Sequence, residues 1–175
     1  RELRESGLQE SVLEAAASEF VPLFDVLEID GRRSFTYETC YFDDPGRRSY
    51  FDHHQGRRQR MKVRVRRYVE AGLVFLAVGE SIGAARSLVA HEGGERMTID
   101  TGIHFEGQWA AREARRTDDE VFILETKSAN GRGLADRVLR AHHQHPTNGC
   151  SKYCVGMSLT GAVDRFNRFR PAMRK

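Results

Sequence analysis

Hydrophobic and polar positions alternate with a period of two in several separate runs of this chain. In RRQRMKVRVRRYVEAG (57–72), Arg58, Arg60, Lys62, Arg64 and Arg66 fall on one side, and Met61, Val63 and Val65 on the other. A helix would spread both sets around its axis, so the alternation predicts a strand. The same period predicts strands over SFTYETCYFDD (34–44), ERMTIDTGIHFEG (95–107) and EVFILETKS (120–128). LVFLAVG (73–79) reads as the hairpin partner of the cationic strand, and RSLVA (86–90) pairs with 95–107 around HEGG. Helical spacing marks GLQESVLEAAAS (7–18), GLADRVLRAHH (133–143) and the shorter SKYCVGMSL (151–159). RRSYFDHHQG reads as a short helix or loop, DDPG as a stop signal and NRFRPAMRK as a basic tail. These elements predict an α+β domain on a largely antiparallel sheet, with helices at its ends.

At 175 residues the chain fits a single domain, 1–175, with a real core. The net charge is only +3, since 28 basic residues face 25 acidic ones. The basic residues are concentrated, however, so the local field matters more than the total. Cys40, Cys150 and Cys154 form no metal-ligand pattern and read as reduced thiols in a cytoplasmic protein. No apolar run approaches the roughly 18–20 residues needed to span a bilayer, so no transmembrane segment is expected. NGRG (130–133) lacks the strand and GK[ST] of a nucleotide loop. The cationic strand carries only Tyr68 as an aromatic, which argues against a nucleic-acid partner that needs a stacking platform.

Five cations on one strand face cannot enter an apolar core, because each would incur several kcal/mol of desolvation. Ordinary exposed strands mix charges, since like charges in a row repel. The bias therefore points to a wet cavity holding a polyanion. In ERMTIDTGIHF, Arg96, Thr98, Asp100 and His104 share one side, with Met97, Ile99, Ile103 and Phe105 on the other. Glu125 and Lys127 share a face of VFILETK. If these faces converge, Arg64, Arg66, Arg96 and Lys127 surround Glu38 and Glu125. Cations with carboxylates suit phosphates carrying a divalent metal.

YETCYFDD, YFDHHQGRRQRMKVRVRRYV, RMTIDTGIHF, FILETKS, and SKYCVGMSL with NRFRP resemble, in that order, the bacterial VTC domain, the polyphosphate polymerase domain of the CYTH-like triphosphate tunnel metalloenzymes. The resemblance runs from about residue 28 to the C-terminus. It implies an antiparallel β-tunnel, a closed or partly closed barrel with flanking helices. It also implies phosphoryl transfer from a nucleoside triphosphate to inorganic polyphosphate with Mn²⁺ or Mg²⁺. Arg64, Arg66 and Lys127 then carry the chemistry. Lys62, Arg86, Arg96 and Lys152 join them in holding phosphate, and Glu125 with Glu38 takes the metal. Membrane-associated partner proteins fit the same picture.

Three departures stand beside the resemblance. FLAVG places Ala77 and Gly79 where the family carries a glutamate and a lysine. RELRESGLQESV shows no match to the family's N-terminal basic strand. The join near 78–86 is abrupt, as if a segment were omitted or deleted there. A triphosphatase or polyphosphatase, and a non-catalytic polyphosphate-binding module, are the alternatives.

Overall fold

Alternation becomes strand wherever one side of a segment has a core to bury. The computed structural model describes residues 2–70, 73–75, 81–106, 115–116, 121–147 and 150–173. The strands are β1 (Glu2–Gln9), β2 (Phe24–Val26), β3 (Phe35–Phe42), β4 (Val63–Tyr68), β5 (Leu73–Phe75), β6 (Ser81–Ala90), β7 (Arg96–Phe105), β8 (Arg115–Arg116) and β9 (Val121–Ser128). The helices are α1 (Glu10–Phe20), α2 (Arg48–His54), α3 (Leu134–Ala141), α4 (Lys152–Leu159) and α5 (Arg170–Met173), the last preceded by a 3₁₀ turn, Asn167–Phe169. The fold is α+β. Its antiparallel sheet runs β1-β9-β7-β6-β3-β4-β5, with β2 on β6 and β8 on β7. Among the described residues no ladder joins β5 to β1.

The sheet has two differently furnished faces. Met97, Leu88, Ala90 and Leu124 point to one side and pack with Ala16 and Phe20 of α1 and with Ala135, Val138 and Leu139 of α3. Each fully buried large side chain there contributes roughly 1.5–3 kcal/mol. The other face carries α4, whose Val155 packs on Ile103, Phe105 and Ile123. A third cluster, Tyr50, Tyr153, Cys154, Val163 and Phe169, ties α2 and the C-terminal turn to α4. The basic tail is therefore anchored: Phe169 is fully buried.

A bulge lets β7 serve both faces. The β6–β7 register shifts between Ile82 and Ala84, opposite Gly102, whose φ is +58°. That left-handed conformation favours glycine, and the extra residue reverses the side-chain alternation beyond it. Ile103 and Phe105 were expected on the same side as Met97 and Ile99. The bulge instead turns them onto the face of Asp100, where α4 covers them.

The N-terminus of α3 is capped from a distance. Leu134 N and Ala135 N donate to the buried Glu95 carboxylate at 2.6 and 3.1 Å, satisfying two orphan helix N–H groups. Asp136 accepts from Thr126 Oγ1, Ser128 Oγ and Gly133 N, which fixes the helix against the end of β9.

Three expectations change. Residues 2–9 are extended and pair along their length with β9, so the first helix begins at Glu10, not residue 7. The cationic strand begins at Val63; Arg58, Arg60 and Lys62 precede the ladder. Met61 and Val63, the apolar side of the predicted alternation, are not core: they are 76% and 48% exposed. Ala77 and Gly79 lie outside the described residues.

Candidate functional site

The register brings the cationic strand against the aromatic side of β3. Tyr41 stands opposite Arg64, Thr39 opposite Arg66, and Tyr37 opposite Tyr68. Directly paired residues share a face, so Arg64 and Arg66 lie with Tyr37, Thr39 and Tyr41. Arg66 Nε donates to Thr39 Oγ1 at 2.9 Å, and its guanidinium carbon lies 4.2 Å from the centroid of the Tyr37 ring. The stacking offsets part of the cost of taking this cation out of water. Burial works against the Arg66 charge, but Tyr68, Tyr37 and Tyr41 outweigh it and hold the guanidinium above its ordinary range. Arg66 Nη2 is buried with no hydrogen-bond partner, and the buried Tyr37 hydroxyl faces the Asp100 carboxylate. Orphaned polar groups of this kind are costly, and a bound oxyanion would supply the missing acceptor.

The same face continues across β7 and β9. Register pairs Asp100 with Ile123, Thr98 with Glu125, and Arg96 with Lys127. Lys152, the first residue of α4, reaches into this face: its Nζ lies 2.6 Å from Asp100 Oδ2 and 3.6 Å from Glu125 Oε2. Lys127 Nζ lies 3.2 Å from the other oxygen of Glu125. The Lys152 and Asp100 side chains are 5% and 3% exposed, so their attraction is only weakly screened. Burial raises the Glu125 carboxyl, but Lys152, Lys127 and Arg64 together win and hold it below the usual carboxylate range. Burial likewise pushes the Tyr37 phenol well up, against the pull of Lys152. The arrangement is a pair of carboxylates, buried Asp100 and partly buried Glu125, flanked by cations from three elements, β4, β9 and α4.

The expected site residues divide accordingly. Arg64, Arg66, Lys127, Lys152 and Glu125 come together, and Arg96 joins them by register at the exposed end of β7. Glu38 does not. It lies on the opposite side of β3, where it accepts from Arg67 Nε at 2.8 Å. Arg86 pairs in register with Ile99 on the helix-packed face and lines a 360 Å³ hollow with Leu13 and Glu14 of α1. Lys62 is exposed ahead of β4. Asp100 and Tyr37 were not singled out from the sequence. The signal for Asp100 was its position as a lone carboxylate on the polar side of RMTIDTG. Tyr37 gave none, because an aromatic residue in a strand more often reads as core.

The donor set bears on the divalent metal that the VTC resemblance implies. Among the described residues no group of three or more His, Cys, Asp or Glu side chains is placed to hold a cation. Two carboxylates, Asp100 and Glu125, do share the site through Lys152. Both are already paired with the Lys152 ammonium, so they are at most a partial ligand set, of the kind that Mg²⁺ or Mn²⁺ completes with substrate phosphates and water.

Comparison with known proteins agrees with this architecture. The structure of the PH1819 protein from Pyrococcus horikoshii OT3 is similar, with a TM-score of 0.54 at 10% identity, covering 94% of this chain and 100% of that one. At that identity the likeness concerns the fold alone. No curated protein matches the sequence at a significant level. The VTC domain family matches residues 8–77 and 86–160, which include β3, β4, β7, β9 and Lys152 of α4. The chain belongs to the VTC domain family.

Proposed function

We propose that the chain is a polyphosphate polymerase-type domain that binds triphosphate or polyphosphate on the face bearing Arg66 and Lys152. It would transfer phosphoryl groups from a nucleoside triphosphate with a divalent metal, Mn²⁺ or Mg²⁺. Membership in the VTC domain family ties the chain to polyphosphate. The observation that carries the reading is the convergence of Arg64, Arg66, Lys127 and Lys152 around Glu125, beside a buried guanidinium nitrogen of Arg66 that lacks a partner. The finer architecture proposed is a β-tunnel, closed or partly closed, with this face as its interior.

In the transfer, an oxygen at the end of the growing chain attacks the γ-phosphorus. The bond to the bridging oxygen breaks, and the nucleoside diphosphate leaves. Arg64 and Arg66 hold non-bridging oxygens and take up charge as it spreads in the transition state. Lys127 and Lys152 neutralise the phosphates on either side of the reacting one. Glu125 and Asp100 would hold the metal, which when bound adds charge neutralisation at the phosphate oxygens.

Among the described residues no helix is long and apolar enough to cross a membrane. A cytoplasmic site working beside membrane-associated partner proteins is part of the proposal. Purified protein given ATP and Mn²⁺ is expected to build polyphosphate chains resolvable on a gel. Phosphate release without chain growth would instead make it a triphosphatase or polyphosphatase. Binding without turnover would make it a binding module.

A further inference from the structure

A second concavity adjoins the phosphate face. It has a volume of about 480 Å³, within the range of small-molecule clefts, and lies between the end of β3, the Asp43–Arg47 turn and one side of α4. Tyr153, Gly156 and Met157 of α4, with Thr160 at its C-cap, line it at helical spacing. Tyr41 and Phe105 complete the aromatic wall. The Tyr41 and Tyr153 rings lie 5.2 Å apart, and Tyr153 is fixed by donating its hydroxyl to Asp43 Oδ2 at 2.5 Å. Gly156 lets α4 pack close on β7 beside the cleft, since a Cβ there would meet Phe105 Cδ1 at 2.6 Å.

Two residues connect this cleft to the cationic site. Lys152 lines it and also touches Asp100 and Glu125. Tyr41 lines it and stands directly opposite Arg64. The cleft's charged lining besides Lys152 is three carboxylates, Asp43, Asp44 and Glu106, against one cation, Arg47, which favours phosphate on the Lys152 side rather than there. A ligand matching both halves is therefore an anionic chain joined to a flat apolar group.

We infer that this cleft seats the base of the nucleoside triphosphate donor, while its phosphates extend past Lys152 onto Arg64 and Arg66. The inference rests on the proposed use of a nucleoside triphosphate. Stacking on aromatic walls tolerates any base, because every base offers a π-face, so the cleft confers affinity for a nucleoside rather than choice among bases.

The test compares ATP with inorganic tripolyphosphate, which has no base, by calorimetric titration of the whole chain. Ala162→Phe and Met157→Trp fill the cleft from two different segments. Each is expected to weaken ATP binding by about tenfold and to leave tripolyphosphate binding unchanged. Independently, photolabelling of the wild-type chain with 8-azido-ATP is expected to modify Tyr41, Tyr153 or their immediate neighbours. Labelling elsewhere, or equal losses for both ligands in variants that melt like wild type, would overturn the base site and leave the phosphate site standing. Binding of neither ligand by the wild-type chain would overturn the phosphate site and this inference with it.

Discussion

Replacing Lys152 with methionine separates the electrostatics of the site from its shape. The side chains have similar length, but the variant leaves Asp100, 3% exposed, and Glu125, 13% exposed, facing each other with no ammonium between them. Removing one partner of a buried ion pair costs about 3–5 kcal/mol. For a chain of this size that amounts to a fall in Tm of roughly 6–20 °C. The sign of the pH dependence follows from Glu125, whose pKa is lowered in the folded state. A carboxylate of this kind adds stability above its unfolded pKa and loses that contribution as pH falls through the folded value. In Lys152→Met the chief opponent of burial is gone, so the Glu125 pKa moves up, and protonation relieves the strain. The deficit against wild type, measured by urea unfolding, should be largest at pH 7.5 and shrink toward pH 5. The double variant Lys152→Met/Asp100→Asn should recover a substantial part of it. A deficit below about 1 kcal/mol, or one equal at both pH values, would refute the buried Lys152–Asp100–Glu125 cluster.

Further outcomes follow from the placement of single residues. Glu125→Gln should weaken Mn²⁺ binding in the presence of tripolyphosphate by about tenfold or more, read by calorimetry, because a neutral amide replaces a hard anionic donor. Arg86→Ala and Glu38→Gln lie on the opposite side of the sheet and should leave tripolyphosphate affinity within about twofold of wild type. A larger loss in either would place that residue back in the site. Glu95→Ala removes the acceptor of two helix N–H groups at α3 and should lower stability by about 1–3 kcal/mol in thermal unfolding, without changing phosphate binding.

Much of the sheet was legible because its strands alternate apolar residues with charged or polar ones. The alternation in VRVRRY, RMTIDTG and VFILETKS marks β4, β7 and β9, and the pairing of Arg64 and Arg66 with β3 follows the predicted period. What escaped notice depends on partners distant in sequence. ELRESGLQ is charged and contains Gly7, so nothing local marks it as a strand; its order comes from the ladder to β9. Alternation was extended too far back into Arg58–Lys62, where no strand pairs, and too far forward through Gly102, where the bulge reverses it. Glu38 was grouped with the phosphate-facing cations by composition, although its own parity in β3 opposed Tyr37. Lys152 is the first residue of α4, and only the tertiary packing of that helix carries it into the sheet's charged face. Asp100 became visible as its partner only once that packing was known.

The most direct measurement is calorimetric titration of inorganic tripolyphosphate into the wild-type chain and into Arg66→Ala and Lys127→Ala. Each variant removes one charge-assisted contact of about 1.5–3 kcal/mol, so each should bind roughly 10- to 150-fold more weakly, and wild-type affinity should fall steeply with added salt. Tripolyphosphate affinity unchanged by both substitutions would contradict the assignment of this face as the phosphate site.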